Sequence, residues 1–251
     1  MKRCGLLGRN IQYSLSPKIH NEYYIKNNLP FTYELFDVGQ QELEDFMVNC
    51  YENKIIGFNI TIPYKEAVLD FLDELKYPSD KIGAVNTVKI AEDGKKIGYN
   101  TDYFGFIESL MENDIDVKNK RALIVGSGGS AKAVYIALKD LKAKNISVLC
   151  RRIEKAGMFF MDADIIKYHN ISLNKYDLVI NCTPLGNINF KGKPIELLDY
   201  NEDLIVYDLN YIPEKSEFIM DAESKGLKAI NGKSMLINQA IHSINIWKEL
   251  I

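Results

Sequence analysis

The chain has 251 residues, enough for one large α/β domain or two smaller ones with an ample core, and too many for a miniprotein stapled by disulfides. Hydrophobic residues at 47% and charged residues at 26% make an ordinary globular mix, and 31 basic against 34 acidic side chains leave a net charge of −3, so no global positive field is present to gather nucleic-acid phosphates. The cysteines Cys4, Cys50, Cys150 and Cys182 form no C-x-x-C pair, and His20, His169 and His242 stand apart from them, so free buried thiols are expected and no metal.

Lys2 and Arg3 precede only Cys4–Leu7 before Gly8, Arg9 and Asn10 break the apolar run, which is far short of a signal or membrane-spanning segment. A cytoplasmic protein with neither a membrane nor a nucleic-acid partner is expected. Cys4–Gly8, Phe31–Asp37 and Ile55–Thr61 read as strands, separated by helical patterns over Lys18–Asn27 and Gln40–Tyr51. Ser16-Pro17 reads as a cap followed by proline at the first helical position. Ser14 and Ser16 offer two hydroxyls that share a side in an extended segment, a pair suited to a carboxylate; the plainer reading is a loop serine and a cap.

Asn59 and Thr61 share one face at the end of the third strand, Pro63 breaks it, and Lys65 is expected to begin a helix, where its charge opposes the dipole. A cation set there is either solvated or placed for proton transfer. Val85–Ala91 and Lys95–Tyr99 flank Glu92-Asp93-Gly94, a turn that joins antiparallel neighbours, so the first domain mixes strand directions. Gly83–Thr87 and Gly98–Asp102 are polar clusters at strand ends; each taken alone is a cap or a turn, with Asp102 a cap for a helix over Tyr103–Met111.

The polar stretch Asn113–Lys120 leads into Ala122–Val125, and a second fold is expected to begin near Asn119. Strand 121–126, helix 129–142, strand Ile146–Cys150, a brief helix and strands Asp177–Asn181 and Leu204–Asp208 give the alternation of a parallel doubly wound sheet. Gly126-Ser127-Gly128-Gly129-Ser130-Ala131 between the first strand and helix fits a dinucleotide turn, with glycines for positive φ and close approach and a helix N-terminus for phosphate. At the end of the second strand, where an NAD fold places an acid, stand Arg151 and Arg152, which suit a 2′-phosphate; the alternative is an exposed basic loop. Lys233–Leu250 is amphipathic, with Ile237, Ile241, Ile244 and Trp247 on one stripe that fits either domain.

Together, Ser14-x-Ser16-Pro17-x-x-His20-Asn21, Asn59-x-Thr61-x-Pro63-x-Lys65, Gly83-Ala84-Val85-Asn86-Thr87, Asn100-Thr101-Asp102 and Gly126-x-Gly128-Gly129 resemble, in order, the motifs of the shikimate dehydrogenase family. The resemblance continues through Cys150-Arg151-Arg152-x-x-Lys155-Ala156, Asn181-Cys182-Thr183-Pro184-Leu185-Gly186, Asp208-x-x-Tyr211-x-Pro213 and Gly232-x-x-Met235-Leu236-x-x-Gln239-Ala240.

It implies an α/β fold of two domains. A mixed-sheet substrate domain over residues 1–101 is completed by a returning C-terminal helix, 237–251, and residues 102–236 form a Rossmann-like doubly wound NADP-binding domain, with shikimate held in the cleft between them. The implied reaction is NADPH-dependent reduction of 3-dehydroshikimate to shikimate, in aromatic amino-acid and chorismate biosynthesis. By position, Lys65 and Asp102 become the catalytic pair, and Ser14 and Ser16 hold the substrate carboxylate. Asn59 lies in the same substrate-binding motif, Thr61, Asn86, Asp102 and Gln239 would contact the ring hydroxyls, and Tyr211 would lie near substrate and nicotinamide. The implied NADP site takes Gly126, Ser127, Gly128, Gly129, Ser130, Ala131, Arg151, Arg152, Thr183, Pro184, Leu185, Gly232 and Met235, with no metal. A small-molecule partner and a monomer or homodimer are expected.

Departures concern the cofactor: Cys150-Arg151-Arg152 stands where the family usually has Asn-Arg-Thr, and Asn187 where it favours Met. Relatives that accept NAD or quinate often carry Asp after Arg-Arg and Thr for the second serine; here Ile153 and Ser16 keep NADP and shikimate in front. The alternatives are an NAD(P)-dependent quinate/shikimate dehydrogenase and, in another class, a non-catalytic dinucleotide sensor, which would have no reason to keep Lys65 and Asp102.

Overall fold

The computed structural model describes residues 1–168 and 171–250, with the side chain of Lys155 left out; His169 lies outside the described residues. The chain divides into two compact units, Met1–Gly105 with Ile237–Ile251, and Phe106–Leu236. No described helix is long and apolar enough to cross a membrane.

In the first unit the chain runs β1 (Lys2–Gly8), α1 (Ser16–Lys26), β2 (Phe31–Asp37), α2 (Leu43–Asn49), β3 (Ile55–Ile60), β4 (Glu74–Leu75), α3 (Ser79–Ile82), β5 (Thr87–Ile90), β6 (Lys96–Tyr99) and the start of α4 (Thr101–Glu112). These strands form one sheet in the order β2-β1-β3-β5-β6-β4. Its β1 is parallel to β2 and β3, and β5 is antiparallel to β3 and β6, so the expected mixture of directions is present. The β5–β6 turn uses Gly94 at φ +85°, as an Asp-Gly turn requires. The two-residue β4 carries no alternation long enough to read from sequence.

Both faces of the sheet are covered. Leu7, Phe58, Ile60 and Val88 pack with Leu43 and Met47 of α2 on one side, whereas Cys4, Leu6 and Tyr33 pack with Tyr24 of α1 on the other. The second side also takes Ile244 and Trp247 of α8 (Lys233–Lys248), the C-terminal half of the expected apolar stripe, whereas Ile237 at its other end is exposed. Gly57 makes this docking possible: a Cβ there would stand 2.2 Å from Trp247 Nε1, which donates to the Val88 carbonyl at 3.0 Å.

Two local expectations are corrected. Ser16 is already the first helical residue of α1 and Leu15, in αR, is the cap, so Ser14 and Ser16 do not lie in an extended segment. Instead the Ser16 N–H donates to Ser14 Oγ at 3.2 Å, a turn that brings the two serines together by another route. Nor does a helix begin at Lys65. Its carbonyl, which a helix would offer four residues on, accepts the Val85 N–H at 2.8 Å.

The second unit continues through β7 (Arg121–Val125), α5 (Gly129–Asp140), β8 (Asn145–Cys150), α6 (Ile153–Gly157), β9 (Asp164–Lys167), β10 (Leu178–Asn181), β11 (Ile205–Asp208), α7 (Glu217–Ser224) and β12 (Lys228–Asn231). Its sheet is parallel in the order β12-β11-β10-β7-β8-β9. Numbered within the unit, that is the doubly wound order 3-2-1-4-5-6, whose reversal between β7 and β10 opens a crevice at their carboxyl ends. β7 and β10 are buried, as the apolar runs predict. The half-polar β9 and β12 lack that signature, which is why their strand character is not visible in the sequence.

Candidate active site

Lys65 and Asp102 come together in the first unit. Lys65 Nζ lies 2.5 Å from Asp102 Oδ2, with the side chains 14% and 10% exposed, so little water screens the pair. Asp102 sits inside the first turn of α4 rather than capping it; Asn86 Oδ1 instead accepts the Thr101 N–H at 2.6 Å. The Asn86 Nδ2 in turn donates to Asp102 Oδ1 at 2.8 Å. One carboxylate oxygen thus meets an amide and the other an ammonium.

Asn59, at the end of β3, is buried and its amide is engaged at both ends. Its Oδ1 accepts the Tyr33 hydroxyl at 2.8 Å, and its Nδ2 donates to Ser243 Oγ at 2.8 Å and Thr87 Oγ1 at 2.9 Å. Gln239, one helical turn before Ser243 on α8, brings Oε1 to 3.4 Å from Thr101 Oγ1. Thr61 is half-buried just past β3, with its N–H on the Leu7 carbonyl. Ser14, Ser16, Asn59, Thr61, Lys65, Asn86, Asp102 and Gln239 all belong to the first unit, and Tyr211 to the second.

Two motif residues serve the scaffold. Asn21 pairs both ways with the Tyr33 backbone, at 2.9 Å each, and His20 stacks on the Tyr33 ring at 3.9 Å. Full burial among rings drives the His20 imidazole down to about 3, so it stays neutral. Thr87 and Thr101 stand in the polar clusters the sequence singles out but are given no role there, and Ser243 is not singled out at all; its one signal is that it repeats Gln239 four residues on, along the same helix face.

In the second unit, Gly126 holds φ +113°, and a Cβ there would meet Thr183 Cγ2 at 3.1 Å, so the loop after β10 abuts the glycine turn. Gly128 is the cap of α5, with φ −82° and no side chain to satisfy the helix N–H groups. A Cβ at Gly128 would meet no protein atom within 4 Å. Neither strain nor packing therefore calls for glycine, and open space before a helix N-terminus is a cradle a phosphate can enter. Ser127 and Ser130 are half-buried, Gly129 opens the helix and Ala131 is buried in it. Arg151 and Arg152 project into solvent past β8. These residues fit a dinucleotide phosphate, and the basic pair fits NADP.

The loop Thr183-Pro184-Leu185 is held from below by Asp208. This buried carboxylate takes Ser216 Oγ at 2.6 Å, Asn210 N at 3.0 Å, Asn210 Nδ2 at 2.8 Å and Asn181 Nδ2 at 2.9 Å; desolvation still pushes it above the usual carboxylate range. Asn181 also donates to the Leu185 carbonyl and receives Thr183 N and Oγ1, while Asn210 donates to the Thr183 and Leu185 carbonyls. Asn187 closes the loop, accepting Asn189 N and Phe190 N, which gives this asparagine a local reason. Gly232 approaches the Leu209 carbonyl so closely that a Cβ would stand 2.0 Å away, and Met235 is buried beyond it. Among the described residues no group of three or more His, Cys, Asp or Glu could hold a metal.

The family model for the shikimate dehydrogenase substrate binding domain matches residues 6–88. A shikimate dehydrogenase (NADP(+)) of Clostridium botulinum (strain 657 / Type Ba4) is 52% identical over 252 residues, 98% of this chain and 96% of that protein. Among solved structures, a chorismate mutase/shikimate 5-dehydrogenase fusion protein from Clostridium acetobutylicum gives a TM-score of 0.91 at 35% identity, over 99% of this chain and 92% of that one. Shikimate 5-dehydrogenase from Thermus thermophilus, in complex with NADP(H) and shikimate, gives 0.90 at 31% identity, over 100% and 95%.

Proposed function

The chain belongs to the shikimate dehydrogenase family, and on that premise we propose that it catalyses the reversible NADP-dependent reduction of 3-dehydroshikimate to shikimate, a step towards chorismate and the aromatic amino acids. The observation that carries the proposal is the Lys65–Asp102 ion pair at 2.5 Å, shielded from water and fixed by Asn86. A dinucleotide sensor has no need of such a pair.

NADPH, when bound, supplies the hydride. The carbonyl oxygen of the substrate then needs a proton, which Lys65 Nζ delivers, while Asp102 holds the ammonium and accepts a neighbouring ring hydroxyl. Run backwards, Lys65 removes the hydroxyl proton. Ser14 and Ser16, joined by their turn, present hydroxyls to the substrate carboxylate, and Thr61 and Gln239 face the ring hydroxyls. Asn59 and Asn86, whose amides are engaged, keep this face in register. In the second unit, the glycine turn Gly126–Ala131 receives the pyrophosphate, Arg151 and Arg152 the 2′-phosphate, and Thr183–Leu185 with Gly232 and Met235 the nicotinamide end.

The test is a spectrophotometric assay of the purified chain with shikimate or quinate against NADP or NAD. Efficient turnover of shikimate with NADP is expected. Turnover of quinate with NAD at equal or better kcat/KM would replace the proposal by the broader quinate/shikimate activity, and none with any pair would leave a binding protein.

A further inference from the structure

Three fully buried hydroxyls meet behind the catalytic pair: Thr87 opens β5, Thr101 opens α4, and Ser243 lies in the second half of α8. Their Oγ atoms form a triangle with sides of 2.9 Å (Thr87–Ser243), 3.1 Å (Thr87–Thr101) and 3.2 Å (Thr101–Ser243). We propose that Ser243 and Thr87 are positioning residues for the reaction, which fix the amide of Asn86 and through it aim the Asp102 carboxylate at Lys65; this rests on the proposed dehydrogenase reading of the site.

Counting protons carries the argument. The Tyr33 hydroxyl donates to Asn59 Oδ1, so Asn59 turns its Nδ2 hydrogens to Ser243 and Thr87, with the Asn86 carbonyl a longer third acceptor at 3.2 Å. Ser243 donates along its own helix to the Gln239 carbonyl at 2.9 Å and therefore meets Asn59 and Thr101 as an acceptor. Thr87, already accepting from Asn59, has its proton for Asn86 Oδ1 at 3.0 Å. The same oxygen takes the Thr101 backbone N–H. With its oxygen held twice, Asn86 sends one Nδ2 hydrogen to Thr101 Oγ1 at 3.0 Å and the other to Asp102 Oδ1. A flipped amide would set an NH2 group against the Thr101 N–H, two donors face to face. Asp102 is thereby left with Oδ2 for Lys65.

Removing the Ser243 hydroxyl leaves that Asn59 hydrogen only the Asn86 carbonyl, 3.2 Å away, and frees the Thr101 proton to compete for Asn86 Oδ1, also 3.2 Å away. The amide that aims the carboxylate then loses its single orientation. The C-terminal helix thus reaches the chemistry through a hydroxyl as well as through Gln239.

The experiment compares steady-state kinetics and thermal melting of the full chain with Ser243→Ala, Thr87→Val, Thr87→Ser, Asp102→Asn, and Ser243→Ala combined with Asp102→Asn. Ser243→Ala and Thr87→Val should each lower kcat about tenfold with KM for NADP within about twofold, less than the hundredfold cost of a full ångström of misplacement. Thr87→Ser, which keeps the hydroxyl, should restore kcat. Once Asp102→Asn has removed the carboxylate to be aimed, Ser243→Ala should cost nothing further in kcat. Parental kcat in Ser243→Ala or Thr87→Val, beside an impaired Asp102→Asn, overturns the proposal; so does a tenfold loss that persists in the Asp102→Asn background. Full turnover by Asp102→Asn would overturn the reading of the site itself. Should Ser243→Ala fail to fold, Thr87→Val and its Thr87→Ser rescue decide the matter.

Discussion

Replacing Arg151 and Arg152 together by Ala should separate the two nicotinamide cofactors, which differ by one phosphate. Both guanidiniums are exposed, and among the described residues neither is held by a carboxylate, so the fold should tolerate their deletion. Their whole effect should appear on the ligand. A hydrogen bond to a charged group contributes about 1.5–3 kcal/mol, and solvent at this open loop favours the low end of that range. At about 1.4 kcal/mol per factor of ten, one contact is worth roughly tenfold in NADP affinity and two roughly a hundredfold. Dissociation constants for NADPH and NADH, read from nucleotide fluorescence, should therefore show NADPH weakened by between about tenfold and a hundredfold and NADH nearly unchanged, with Tm at the parental value. Equal losses for both cofactors would refute the reasoning, since the arginines would then be stacking on adenine or supporting the loop. A parental preference for NAD would refute it more directly.

Lys65→Ala should lower kcat by about 10²- to 10⁴-fold and change shikimate affinity little, because a proton donor acts chiefly in the transition state; turnover within about tenfold of the parent would remove Lys65 from the chemistry. Asp208→Asn puts an NH2 group among four donors, so KM for NADP should rise severalfold while shikimate affinity measured without cofactor stays at the parental value. Loss of both affinities together would show Asp208 to be a general support of the fold. For His20, the imidazole protonates near 6.5 in the unfolded chain and only at about 3 when folded, so its share of stability is complete above pH 6.5 and drains away as the pH falls towards 3. Urea unfolding near pH 5 should show a loss of about 2 kcal/mol relative to pH 7.5 that is absent in His20→Gln; parallel pH profiles would mean that other groups set the acid limit.

What the sequence makes legible follows the range over which each signal acts. The doubly wound sheet is readable because β7, β8, β10 and β11 are short apolar runs with punctuation between them, and the glycine turn is readable because its demands are local. Lys65 is the instructive case. A helix start with an opposing dipole is an accurate description of a misplaced cation and a wrong account of why it is there, since Val85 takes the carbonyl such a helix needs. What holds the ammonium is a carboxylate 37 residues away, on an element that only the sheet order brings alongside.

The same limit hides what Thr87 and Thr101 face, and hides Ser243 altogether. Periodicity reports which side of α8 is apolar, and Ile244 and Trp247 satisfy it by packing in the first unit. It says nothing about a serine on the same buried side, whose presence is explained only when partners from β3, β5 and α4 arrive within 3.2 Å. A fully buried hydroxyl surrounded by polar atoms is costly unless each proton finds an acceptor, so such a cluster persists in a fold only where its directions matter. Here they converge on a single carboxylate oxygen, and under the proposed function that convergence would tie the returning C-terminal helix to the reaction and make the Lys65–Asp102 pair a property of the whole first unit, not of the two motifs that contain it.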